Sequence, residues 1–484
     1  MTATPLSSSI ELSGVRVNLS LDPISPEGHR GHGPASEETA IMRKPEKPDH
    51  VFYEDMVLHV LRDGAAKCGL SPHLIAKDEE VIRNRSRTEG EGFLTKTLPA
   101  LGKCLDKALA TGNQFPQSHA FALANGERKT PKFLRAFWEL IFSPKGDVYE
   151  YGAHSGLCTN TRLPAPQSPA LRRQVEAVRA VRQICYLFYK LEGACDPGAV
   201  EEAFDQFIET DASLPDAGEV VPLSNSTQCA LENARVLLGR LFANLSLQDI
   251  TPNHGPGAVA TGEKPWEKMN FSRYFAQVDE VYPYSDYFFF NYTHLCDDLE
   301  SLEQLEPALK CAKVVAVPKD SRGPRLISME PLELQWLQQG QMRKIVKTVE
   351  SHPMTSGYVN FTCQEINREL ALQHSFDGDF VTIDMKEASD RVSAWLVQSL
   401  FPRDMQRYLF ATRSEKTVLP DGRCIDLKKF APMGSAVCFP VEALTFWSLA
   451  VGSLRRITRA KDMKSLPEVY VYGDDIILHS EDYA

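Results

Sequence analysis

Two adjacent acids, Asp474 and Asp475, stand near the end of the chain behind Gly473. Residues 469–472 before them and 476–479 after them are rich in β-formers. That pattern predicts a hairpin in which glycine supplies the positive φ of a tight turn and the acids sit at the tip. Neighbouring carboxylates between apolar arms repel each other unless a cation neutralises them. Mg²⁺ does this with hard oxygen ligands, commonly carboxylates together with substrate phosphates. A third acid, Asp384, closes the alternating segment 379–384, which reads as a buried strand. Three acids on two neighbouring strand ends would hold two divalent ions, Mg²⁺ or alternatively Mn²⁺, roughly 3.5–4 Å apart, as phosphoryl-transfer sites do. One ion would lower the pKa of an attacking 3′-hydroxyl, and the other would hold a triphosphate and its leaving pyrophosphate. A lone Gly-Asp-Asp is weak and reads equally as a solvated surface turn. The apolar arms and the second strand-borne acid argue for the site.

Other elements must position these groups. After Asp384 a turn at 386–389, in which Glu387 reads as a solvated residue, leads to Asp390, and Ser393 is placed to cap a helix through 400 that ends at Pro402. Residues 310–347 carry a local charge of +5 in a protein of −11. They read as a strand at 313–318, a turn at 320–324, a strand at 325–328 and a helix at 333–349. Lys319, Arg322 and Arg325 cluster at that turn. Earlier helices are expected at 51–61, 168–191, 201–208 and 228–247. In 168–191, Val175, Val178, Val181, Cys185 and Phe188 form an apolar stripe, and Arg172, Arg173, Arg179 and Arg182 lie mostly off it. A core-packed helix with a solvated basic face is favoured there over an RNA-contacting face. The aromatic run 282–292 is read as core packing rather than base stacking. Residues 253–257 form a Gly/Pro loop.

Composition sets the outer limits. The chain has 484 residues, 43% apolar and 24% charged, which suits a globular protein of two to four domain-sized units. Residues 1–51 lack Phe, Trp and Tyr and hold six prolines, so they read as a disordered leader. His29 and His32 within it read as loop histidines. No apolar run approaches a membrane span, and no secretory signal opens the chain. The eleven cysteines contain no Cys-x-x-Cys pair, which favours free thiols and argues against a cysteine zinc site. A net charge of −11 means that any nucleic acid must be held in a locally basic channel. No Gly-x-Ser-x-Gly elbow, His-Glu-x-x-His or Walker loop is present.

Four segments carry a resemblance. Tyr472-Gly473-Asp474-Asp475 resembles motif C of viral RNA-dependent RNA polymerases. Thr382-Ile383-Asp384 followed by Ala388-Ser389-Asp390 resembles motif A of the replicases of leviviruses, the small positive-strand RNA bacteriophages. Pro432-Met433-Gly434-Ser435 and the following helix resemble motif B. Val317-Pro318-Lys319, Arg325, Ile327, Glu330-Pro331 and Gln335 resemble the basic motif F. The order F, A, B, C is the family's. The resemblance implies an α+β right-hand polymerase with helix-rich fingers and an antiparallel-sheet palm. Its parts would be a leader at 1–50, a helix-rich N-terminal and fingers region at 51–300, fingers with motif F at 301–378, and a palm at 379–484.

The same resemblance implies site roles. Asp384, Asp474 and Asp475 would be catalytic and bind the metals. Lys319, Arg322 and Arg325 would meet the triphosphate or template backbone. Asp390, Gly434 and Ser435 would recognise the ribose 2′-hydroxyl. The family usually has Asn where Ser435 stands, and serine reaches less far. Only nine residues follow Asp475, so the thumb is expected to be missing from this chain and the palm truncated. Expected partners are template and nascent RNA, ribonucleoside triphosphates and, by resemblance, host elongation factors Tu and Ts and a ribosomal protein, in the cytoplasm of a bacterial host. The rival readings are a reverse transcriptase and a catalytically silent RNA-binding protein on a palm fold.

Overall fold

The computed structural model describes residues 10–12, 15–17, 50–111, 120–124, 130–142, 169–191, 197–289, 305–320, 323–375, 377–454 and 466–483. Two compact units are distinguished, Met1–Asp49 and His50–Ala484. In the first, Ile10–Leu12 and Val15–Val17 pair antiparallel. The rest of that unit, with His29 and His32, lies outside the described residues.

The second unit mixes helices and sheets. Its first core is helical. Helices His50–Lys67, Pro72–Glu89, Leu98–Thr111, Arg135–Ile141 and Pro169–Tyr186 surround Leu58, Leu61, Ile82, Leu101, Phe137 and Val181, all fully buried. Proline opens Pro72–Glu89 at a position where its missing N–H costs nothing. The helix expected at 51–61 runs on to Lys67. Gly64 lets Pro169–Tyr186 approach: a Cβ there would overlap Ala180.

The basic face of Pro169–Tyr186 is largely spent within the chain. Arg173 Nε donates to the Cys68 carbonyl at 3.0 Å, Arg179 pairs with Glu176 at 2.8 Å, and Arg182 pairs with Asp106. The aromatic run is likewise packed. Tyr282, Tyr284 and Phe288 are buried, and the hydroxyls of Tyr282 and Tyr284 donate to the carbonyls of Leu247 and Arg273. Phe290 and Tyr292 lie outside the described residues.

The second core supports a three-stranded antiparallel sheet. The hairpin strands Val469–Tyr472 and Asp475–His479 pair with each other, and the latter pairs with Phe380–Asp384. Val469, Val471, Ile476 and Leu478 point into a core shared with Val441 and Leu444 of the helix Cys438–Leu454. Helix Asn225–Leu241 packs on that helix at close range. Gly452 makes this possible, because a Cβ would overlap the Ala230 carbonyl, and Asn233 Nδ2 donates to the Gly452 carbonyl at 2.9 Å. Ser393 caps Ala394–Leu400 by accepting from the Leu396 amide at 3.0 Å.

A second sheet has four strands, in the order Gly323–Met329, Cys311–Asp320, Lys416–Val418, Cys424–Asp426. Its first two strands are the basic hairpin, longer than the sequence suggests, with Val317 opposite Arg325. No helix among the described residues is long and apolar enough to cross a membrane.

Candidate nucleotidyl-transfer site

Register assembles the acids. Asp475 is the direct partner of Asp384, and Tyr472 pairs with Asp475 across a two-residue turn of Gly473 and Asp474. Directly opposed antiparallel residues have Cα atoms about 4.5–5.5 Å apart. Asp384 and the tip therefore share one end of one sheet. All three acids are exposed. Gly473 takes φ +64°, and a Cβ on it would overlap the Phe439 ring. That ring meets Tyr472 edge-on, with centroids 5.4 Å apart, and so seats the turn against the helix Cys438–Leu454.

The charge balance at this end is one-sided. Partial burial raises the Asp475 carboxyl above its usual range; Asp474 and Asp384 raise it further, and only a hydrogen bond from Gln364 opposes them. Gln364 Nε2 donates to Asp475 Oδ2 at 3.4 Å, and Asn367 Nδ2 donates to the Asp475 carbonyl at 3.2 Å. Three exposed carboxylates, all hard oxygen donors that repel one another, fit divalent cations such as Mg²⁺. The far end of the same sheet contrasts with this. His374, Asp377 and Asp379 are the one trio of such groups, among the described residues, with ligand atoms all within 4.8 Å of one another. There His374 Nδ1 lies 2.9 Å from Asp377 Oδ1, so an acid has a basic partner.

The basic hairpin is fastened to the loop before the helix Cys438–Leu454. The Ser328 amide donates to the Met433 carbonyl at 2.7 Å. Gly434, at φ +119°, lies so close that a Cβ would overlap the Ser328 carbonyl. Lys319 and Arg325 are exposed on the hairpin, and Arg322 lies outside the described residues.

Asp390 and Ser435 are both held within the chain. Ser435 is buried, and its hydroxyl donates to Gln338 Oε1 at 3.1 Å. Asp390 Oδ1 accepts from Lys429 Nζ at 3.1 Å. Lys429 is fully buried, its ammonium 3.3 Å from the centre of the Phe207 ring and 4.0 Å from Asp211. Burial raises the Asp390 carboxyl and lowers the Lys429 ammonium, so desolvation outweighs their attraction in both.

Sequence reasoning missed Gln364, Asn367 and Lys429, and gave Glu442 no role beyond its place in the helix that resembles motif B. It also took Glu387 for a solvated turn residue. Glu387 is instead partly buried at φ +54°, accepting from Thr210 Oγ1 at 3.0 Å and pairing with Arg391 at 3.0 Å. Only Glu442 left a signal, as an acid inside an otherwise apolar helix.

Comparison with known proteins finds a family and several relatives. A family model described as RNA replicase, beta-chain, matches residues 205–483. The RNA-directed RNA polymerase subunit beta of Qbeta virus (strain MX1) is 34% identical over 169 residues, covering 35% of this chain and 27% of that protein. The RNA-directed RNA polymerase beta chain of Escherichia phage MS2 is 33% identical over 171 residues, covering 35% and 29%. The corresponding subunit of Enterobacteria phage SP is 34% identical over 168 residues, covering 34% and 27%. The chain thus spans between a quarter and a third of the length of these curated relatives.

Proposed function

The chain belongs to the RNA replicase beta-chain family, and from that premise we propose that it carries the catalytic site of an RNA-directed RNA polymerase. Asp384, Asp474 and Asp475 hold two divalent cations on a palm sheet, and the basic hairpin is part of the fingers. The observation that carries this reading is the register of Asp384 directly against Asp475, with Asp474 beside them at the turn.

When bound, the ions supply the positive charge that activates a 3′-hydroxyl and stabilises the departing pyrophosphate. The chain's own part is positioning and charge placement. Gly473 and Phe439 fix the turn, Gln364 and Asn367 orient Asp475, and Lys319 and Arg325 approach the triphosphate or the template backbone. Asp390 and Gly434 line the sugar side. Ser435 contributes through its remaining acceptor capacity, because its proton is committed to Gln338. RNA template, nascent RNA and ribonucleoside triphosphates are the substrates. Host elongation factors Tu and Ts and a ribosomal protein are partners implied by family resemblance, and the bacterial cytoplasm is the place of action.

An RNA-extension assay tests the reading. Ribonucleotides should be incorporated in preference to deoxyribonucleotides, which separates a replicase from a reverse transcriptase. Asp474→Asn should lower incorporation about a thousandfold, roughly 4 kcal/mol of transition-state stabilisation. Undiminished incorporation by that variant would overturn the assignment.

A further inference from the structure

The helix Cys438–Leu454 turns one face toward the acids. Cys438 and Phe439 begin that face, and Phe439 fills the space that Gly473 leaves open. Glu442 follows one turn later, on the same side. It is 7% exposed, and among the described residues it has no hydrogen bond and no ion pair. The charges that act on it most are Asp474 and then Asp390, both negative. The base beside Asp390, Lys429, is already shared between Asp390 and Asp211.

Four other deeply buried acids of this unit have donors, although the second oxygen of Glu333 has none. Asp78 accepts from the Leu134 amide at 2.7 Å, Asp211 from the Lys429 amide at 2.9 Å, and Glu330 from the Ser414 hydroxyl. Glu333 faces the amides of Ser272 and Arg273. Glu442 is the exception. The Glu442 side chain is largely buried but its carboxyl oxygens keep some contact with solvent; without a protein donor and under the negative charge of Asp474 and Asp390, it is costly in a purely structural role. Its position becomes favourable when a divalent cation stands at the tip.

We propose that Glu442 is a fourth carboxylate of the cation site, acting with Asp474 on the divalent ion directly or through a bound water. This deepens the polymerase reading and rests on it. The ionised carboxylate would add negative charge and an oxygen acceptor to the site from the helix Cys438–Leu454.

Mn²⁺ binding to the full chain, followed by calorimetry or electron paramagnetic resonance without RNA or nucleotide, tests it. Glu442→Gln keeps the size of the side chain and removes its ionisation. It should weaken Mn²⁺ binding about tenfold, the scale seen when a supporting carboxylate is lost. Glu442→Asp keeps the charge and should bind better than the Gln variant. A merely structural role predicts the opposite order, with Gln the better replacement. In an Asp474→Asn background, Glu442→Gln should add little. Wild-type Mn²⁺ binding by Glu442→Gln alongside weakened binding by Asp474→Asn would overturn this inference and leave the polymerase reading standing. Wild-type binding by both variants would sink both.

Discussion

Two groups of acids lie close together in this protein and are treated in opposite ways. Around Lys429, Asp211 and Asp390 share a fully buried ammonium that also sits against the Phe207 ring. At the hairpin tip, Asp384, Asp474 and Asp475 gather at one end of the sheet, and among the described residues only the Gln364 amide donates to one of these carboxylates. Paired charges inside a protein fix geometry, because breaking the pair strands a charge in low dielectric. Acids gathered without a base are a standing demand for a cation. The first group positions the segment carrying Asp390, and the second is where chemistry would occur.

The sharpest way to break this contrast is to remove the base from the paired group. Lys429→Met strands Asp390 and Asp211 and should destabilise the protein by about 3–5 kcal/mol, read from denaturant unfolding. Asp474→Asn should instead leave stability unchanged or slightly raised, since it relieves repulsion on Asp475. Similar losses in the two variants would erase the distinction.

A third buried acid sharpens it through pH. Burial pushes the Glu330 carboxyl up from 4.5 to about 7, although Ser414 donates to it and Arg413 and Lys310 lie near. A folded pKa above the unfolded one gives stability that is full below about 4.5 and is lost as pH rises through about 7. Glu330→Gln should remove that component, worth on the order of 3 kcal/mol. Wild type and variant should therefore differ in the change in unfolding free energy between about pH 5 and about pH 8. Parallel curves would contradict the assignment.

The smallest expected effect concerns the frame of the tip. Gly473→Ala forces a side chain into a left-handed turn and against the Phe439 ring. A cost of about 2 kcal/mol is expected in unfolding experiments, with a larger proportional loss of Mn²⁺ affinity.

The tip itself was legible because its chemistry is local in sequence. A Gly-Asp turn between β-rich arms specifies its own hairpin, and alternation in 379–384 specifies the strand that carries Asp384. Ser393 announced its helix by capping chemistry. Elements set by tertiary approach were less legible. The helix His50–Lys67 runs past 61, and its Gly64 packs against Ala180, a contact no periodicity reveals. The same holds for partners. Lys429 lies 39 residues from Asp390, and Gln364 lies 111 from Asp475, so neither pairing leaves a local pattern. Glu387 reads as solvated in sequence, but its contact with Thr210 bridges 177 residues.

The most direct measurement is an anomalous-diffraction map of crystals of the full chain soaked in Mn²⁺. The account predicts metal density bounded by the carboxylates of Asp384, Asp474 and Asp475. Density confined to His374, Asp377 and Asp379 at the far end of the sheet, with the hairpin tip bare, would contradict it.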